Sequence, residues 1–414
     1  MPDQSLAKRN IAVLTVAQSL GGAGAPVVVS LGGLVGQSLS PTPALITLPV
    51  SLFSLGLAIG VVPAAMLMRA LGRRGAYRIG AMLGVVGGLV AAFGISIGSF
   101  LVFCLGTMGA GLYASFVQSY RFAATDQAEG DLRGKAISSV MIGGLIAAFI
   151  GPQLVILTRE AVPGAPFMGS FLSQAAMALL AIPVLSLLRV PPPQERLDGA
   201  AGGRGTLALL KSPDYALALA AGVVSYGLMS FVMTAAPVAM VNHGHGVDQA
   251  TLGIQWHVLA MFAPSFVTGR LIARYGKERL TASGLAMIGI GAIVALSGMA
   301  VWQFWVSLVL LGVGWNFGFL GATAMLLDTH TENERAVAQG TNDFFVFSTV
   351  AAASFLSGGI LQSAGWTMVN LVVFPAIALV LVPLVWKSRT RTGADAQVPD
   401  AAEINLTPRP EPNQ

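Results

Sequence analysis

Met229 and Met233 stand four residues apart in one apolar stretch, and His257 and Met261 stand four apart in the next. On a helix, residues at i and i+4 lie over one another, so each pair puts its donors on one face. The polar run NHGHGVDQA separates the two stretches. An antiparallel hairpin turning at His245 sets Met229 opposite Met261 and Met233 opposite His257. Three thioethers and one imidazole then converge. Thioether sulfur is a soft, neutral donor that favours Cu(I), and imidazole suits copper without adding charge. The spacing therefore predicts a copper site inside a membrane carrier. The plainer reading is packing, since methionine fills apolar cores and the chain has 16. His257 argues against it, because an ionisable group deep in a span is costly and usually faces a cavity or a partner.

Such a site needs membrane helices to hold it, and the composition supplies them. Of 414 residues, 55% are hydrophobic and 10% charged, with a mean hydropathy of +0.75; soluble domains carry about 25% charged residues. Fifty glycines suit helices that approach closely in lipid. The single Cys104 excludes an intrachain disulfide and a cysteine-rich metal site. No nucleophile and base arrangement or phosphate-cradling loop points to an enzyme.

Twelve apolar segments reach spanning length, about 20 residues each. They run over residues 11–35, 45–67, 79–97, 100–122, 137–157, 167–188, 215–241, 252–272, 280–300, 304–327, 336–361 and 366–386. With the N-terminus inside, every Lys and Arg except Arg159 falls on the cytoplasmic side, which predicts both ends inside. The net charge of +5 and pI near 9.6 then reflect topology and not nucleic acid. No small-residue cleavage site follows the first apolar run, so it is expected to stay as an anchor.

The halves repeat. RALGRRGAYR follows the second span and GRLIARYGKER the eighth, with Gly72 and Gly276 in register; Asp126 and Arg133 echo in Asp328 and Arg335. The expected organisation is an all-α membrane protein of two six-helix halves, 1–190 and 214–387, with a cytoplasmic linker 191–213 and a disordered tail 388–414. Parallel repeats of this kind place a cavity between the halves. At the positions matching the four donors in the first half stand Ala25, Val29, Phe53 and Leu57, so the repeat itself does not require donors there.

These features resemble the major facilitator superfamily over nearly the whole chain. Gly269, Arg274, Gly276 and Lys277 fit that family's loop signature, with Ala273 in place of the acid. The first copy keeps Gly72, Arg73 and Arg74 but has Ala65 and Arg69 where Gly and Asp are expected. The resemblance implies twelve helices working by alternating access, without the acid that normally locks neighbouring helix ends. More narrowly, M-x-x-x-M in the seventh span followed by H-x-x-x-M in the eighth is similar to CcoA-type copper importers. That likeness implies Met229, Met233, His257 and Met261 as ligands, and copper as cargo rather than cofactor. It further implies copper supply for cbb3-type cytochrome oxidase assembly, a cytoplasmic copper acceptor, and a monomer in the bacterial inner membrane. Riboflavin carriers resemble the same branch, so a small organic molecule such as riboflavin or a drug is the alternative cargo.

Other residues carry secondary expectations. His243 and His245 at the mouth of the hairpin could capture metal, or could simply turn the chain beside Gly244 and Gly246. Asp343, about two turns inside the eleventh span, could carry a coupling proton or pair with Arg121 as a gate; the plain account is a carboxylate favoured near a helix N-terminus. Gln18, Gln118, Tyr120, Trp315 and Asn316 are candidates for lining the cavity against an organic substrate, or for bonding helices together.

Overall fold

The computed structural model describes residues 4–126, 128, 131–189 and 204–395, and they are overwhelmingly helical. Most of the expected linker, 191–203, and the tail residues 396–414 lie outside the described residues. The first half comprises α1 (Gln4–Gly21), α2 (Gly24–Leu39), α3 (Leu48–Ser96), α4 (Phe100–Gln118), the short α5 (Tyr120–Ala123), α6 (Asp131–Thr158) and α7 (Met168–Ser186). The second comprises the short α8 (Thr206–Leu210), α9 (Pro213–Asn242), α10 (Val247–Phe262), α11 (Ser265–Tyr275), α12 (Lys277–Leu296), α13 (Val301–Leu327), α14 (Arg335–Leu371) and α15 (Val373–Asp395).

Among the described residues, nine helices are long and apolar enough to cross a membrane, or ten if the bent pair α10 and α11 is one span. Two of the nine cover 54 and 50 residues. At 1.5 Å per residue such a helix would run about 75 Å, far beyond a hydrocarbon core of about 30 Å. Each is broken by a glycine. Gly72 has φ 68° and ψ 165°, and Gly365 has φ 77° and ψ 179°, a backbone region open essentially to glycine alone. Each therefore carries two spans, which makes twelve.

The break at Gly72 reverses the chain. Against α4, Gly56 meets Met108 and Gly60 meets Ser115, so those helices run parallel; Gly80 meets Phe116 and Gly94 meets Phe103, so the second arm of α3 runs back. The second half repeats the arrangement. Gly253 meets Leu308 and Gly312 meets the His257 carbonyl, whereas Gly284 meets Gly318 and Gly291 meets Ser307. The reversal there falls at Gly276, with φ 86° and ψ 153°. At most of these contacts a methyl group would press on backbone, and a hydrogen side chain lets the helices close.

The basic loop residues also pair alike. Arg73 Nη2 donates to Asp126 Oδ1 at 2.8 Å, and Lys277 pairs with Asp328. In both halves a base just after the reversing glycine is held by an acid at the end of the fourth helix of its half. The loop base of each half thus has an acidic partner, at a place other than the one in the loop signature. Where the described chain resumes, Arg204 makes a two-pronged pair with Glu334 at 2.8 and 3.0 Å, which ties the end of the linker to the second half and holds that carboxyl well below its ordinary pKa.

Span eight differs from expectation. It is not one continuous helix but α10 and α11, bent by 45°. Pro264 lacks the N–H that would continue the ladder, and the freed groups are collected by α13, as described below.

Candidate functional site

The hairpin between α9 and α10 turns through His243 to Gly246, with Gly244 at φ 85°. His243 donates from Nδ1 to the Ala239 carbonyl at 2.7 Å, and His245 from Nε2 to the Met299 carbonyl at 2.6 Å. Both rings lie near Phe304. The two histidines therefore staple the turn to its own helix and to the start of α13.

Below the turn, Met229 and Met261 are buried in the main apolar core, 2% and 8% exposed. Met233 is half-buried against Val29, Val50, Ile254 and Val258. His257 is fully buried; its Nδ1 donates to the Leu308 carbonyl on α13 at 2.7 Å, leaving Nε2 without a hydrogen-bond partner. Its one hydrogen bond goes to α13 and not to a thioether on α9. Among the described residues, no group of three or more His, Cys, Asp or Glu is placed to hold a metal ion.

A second group assembles between α9, α13 and α14. Trp315 and Phe319, one helical turn apart on α13, stack at 5.5 Å with 13° between their planes. Tyr226 of α9 stands edge-on to both, at 5.3 and 5.0 Å, and Phe347 of α14 lies 6.2 Å from Tyr226. Tyr226, Phe319 and Phe347 are half-buried and keep part of their surface open, whereas Trp315 is 7% exposed and its Nε1 has no partner. Asp343 precedes Phe347 by one turn and so shares its face. Arg121 comes from the other half, on α5, and interacts electrostatically with Tyr226 and Asp343 without a direct ion pair. Both charged residues are exposed, so the space between the halves is open at this end.

The remaining expected cavity residues divide. Gln18 is half-buried against Gly143 of α6, and Gln118 is half-buried near the end of α4. Tyr120 is fully buried, with its ring edge-on to Tyr77 at 4.7 Å, and presents no face to a cavity. Asn316 is fully buried too, and its amide is spent on the broken span. It donates to the Met261 carbonyl at 2.7 Å and the Ser265 hydroxyl at 2.6 Å, and accepts from Thr268 at 2.6 Å. This is interhelical bonding that sequence spacing could not distinguish from a substrate contact. Asn316→Leu is expected to destabilise the protein by about 2 kcal/mol, because the Met261 carbonyl and the Ser265 and Thr268 hydroxyls lose a partner in an apolar setting. A melting curve of the purified protein that matches the parent would refute that role.

At the opposite end the halves are joined. Gln37 donates to Asn242 at 3.0 Å, Gln153 to Gln255 at 2.8 Å, and Arg159 pairs with Asp248 at 3.0 Å. Thr47 donates to the Phe355 carbonyl and Ser51 to Ser354, both at 3.3 Å. Gly33 lets α2 reach Val238 of α9. This end is shut while the end bearing Arg121 and Asp343 is not.

Comparison with known proteins bears on both fold and cargo. The family model described as Major Facilitator Superfamily matches residues 11–263 and again 217–410. The chain is 60% identical over 397 residues, 95% of its own length and 99% of the relative's, to the riboflavin transporter RfnT of Brucella anthropi. It is 33% identical over 405 residues, 94% of each protein, to YdeG of Bacillus subtilis, an uncharacterised transporter of MFS type. Among solved structures, a variant of the nucleoside transporter NupG superposes with a TM-score of 0.73 at 14% identity, over 91% of this chain and 99% of that one. The human organic anion transporter MFSD10 does so with a TM-score of 0.66, also at 14% identity and over the same shares. The 60% relative overturns the expectation of copper import, and with it copper as partner and as bound metal. Met229 and Met261 are buried in the core, and the spacing that puts soft donors on one helix face is also the spacing of ordinary core packing. Transport, not enzymatic chemistry, is what these relatives share. On the family match and the near full-length relatives together, this chain is a multi-pass membrane transport protein that belongs to the major facilitator superfamily.

Proposed function

We propose that the protein carries riboflavin, or a flavin close to it, across a bacterial inner membrane by alternating access. The observation that carries this reading is the 60% identity to a riboflavin transporter over 95% of the chain. The cluster of Tyr226, Trp315, Phe319 and Phe347 between the helices supports it, since a planar heterocycle is held by aromatic faces with a few placed polar groups. In this reading the end bearing the basic loops, Arg121 and Asp343 faces the cytoplasm, as the Lys and Arg distribution favours. Both termini lie inside, residues 1–190 and 214–387 move as the two halves joined by the linker 191–213, and the unit is a monomer; the start of the expected disordered tail 388–414 is instead helical, since α15 continues to Asp395. The shut far end then makes the structure an inward-facing state.

The test is uptake. A bacterial strain unable to make or import riboflavin is expected to grow on limiting riboflavin when it expresses this chain, and to accumulate the labelled vitamin. Normal membrane levels of the protein with no uptake would defeat the proposal.

A further inference from the structure

The aromatic cluster and the two facing charges together say more about the cargo than its ring system. We propose that Tyr226, Phe319 and Phe347 seat the planar ring of an uncharged heteroaromatic guest, that Trp315 donates to a polar atom of that ring and Arg121 to the guest's polyol chain, and that Asp343 turns away analogues carrying a phosphate. The proposal rests on the flavin reading above.

Three features carry it. Trp315 and Phe319 already form a stack at 13°, and the half-buried Phe319 leaves surface on which a further planar ring continues it, with Tyr226 and Phe347 bounding the sides. Trp315, 7% exposed, holds an indole N–H with no partner, and a buried donor of this kind calls for an acceptor such as a ring carbonyl. Arg121 and Asp343 come from opposite halves, sense each other and do not pair, so a guest between them can accept from the guanidinium and donate to the carboxylate. A polyol chain does both. The two charges sum to zero, which suits an uncharged guest. A phosphate monoester would bring close to two negative charges at pH 7 against an Arg121 and Asp343 pair that sums to zero, so its attraction to the guanidinium is offset by repulsion from the carboxylate, a repulsion that an uncharged guest does not meet.

The experiment is binding to the purified full-length protein, followed by quenching of flavin emission, with riboflavin and riboflavin 5′-phosphate as the two probes. The parent is expected to bind riboflavin at least about tenfold more tightly than the phosphate ester, and Asp343→Asn to narrow that ratio by about tenfold, since the discriminating term is one charge. Trp315→Phe keeps an aromatic ring and loses the donor, so riboflavin binding should weaken by about tenfold while the preference over the phosphate ester stays. Arg121→Gln should weaken both probes. A purely structural role for Asp343 would lower both affinities together and leave their ratio unmoved. An unmoved ratio in Asp343→Asn, with the parent binding riboflavin, overturns this inference and spares the flavin reading. A parent that binds neither probe overturns both.

Discussion

Asp248→Ala combined with Gln255→Leu opens the far end of the molecule. The pair removes the Arg159 to Asp248 bridge, whose side chains are 23% and 46% exposed, and the Gln153 to Gln255 hydrogen bond at 2.8 Å. A bridge that exposed contributes about 0.2–1 kcal/mol, and a half-buried amide bond about 0.5–1.5 kcal/mol. Their joint loss shifts the balance between the two conformations by roughly threefold to sixtyfold, since 1.4 kcal/mol is a factor of ten. Val29, 7% exposed beneath these contacts, is the reporter position. In a Cys104→Ser background, Val29→Cys should react with a membrane-impermeant thiol reagent from the far side about tenfold faster when the two substitutions are present. Equal labelling would show that the interhelical packing around Gly33 and Val238, and not the polar contacts, keeps that end shut.

Gly111→Ala is expected to prevent the protein from accumulating in the membrane, whereas Gly144→Ala is expected to be silent. Both positions lie inside helices, so helix propensity favours alanine alike at each. What differs is the neighbour. A Cβ on Gly111 would meet the Phe53 carbonyl oxygen 2.0 Å away and the Leu57 nitrogen at 3.0 Å, while nothing lies within 4 Å of one on Gly144. Backbone cannot swing aside as a side chain can, so α4 and the first arm of α3 must part along their length. The cost is about 3 kcal/mol or more, at the upper end of overpacking effects and a large share of total stability. Expression with a fluorescent fusion, followed by size-exclusion chromatography, reads the outcome. A monodisperse Gly111→Ala protein at parental levels would mean that the helices yield more easily than their close approach implies.

The fold was legible before any coordinates because its signals are collective. Twenty apolar residues in a row and a one-sided Lys and Arg distribution report spans irrespective of detail, and Gly72 with Gly276 reports the repeat because one backbone shape admits only glycine. The site was less legible, since its members are brought together across the bundle. Tyr226, Phe319 and Phe347 sit on three helices, and nothing local marks them except the W-x-x-x-F spacing of Trp315 and Phe319 on one face. The same rule that reveals such a pair also pairs Met229 with Met233 and His257 with Met261, because spacing tells which residues share a face and never what that face meets. His257 met the Leu308 carbonyl. The kink at Pro264 was hidden likewise, as a proline in a span is tolerated only where a neighbour takes up the released groups, and that neighbour, Asn316, is some fifty positions further along.

The matched pairs Arg73 with Asp126 and Lys277 with Asp328 have a mechanical consequence. Each ties a hairpin to the adjoining span within its own bundle, so the two bundles are braced alike at that corner. A twofold brace of this kind favours each bundle turning as one body, with the adjustment falling at the seam where Arg159 meets Asp248.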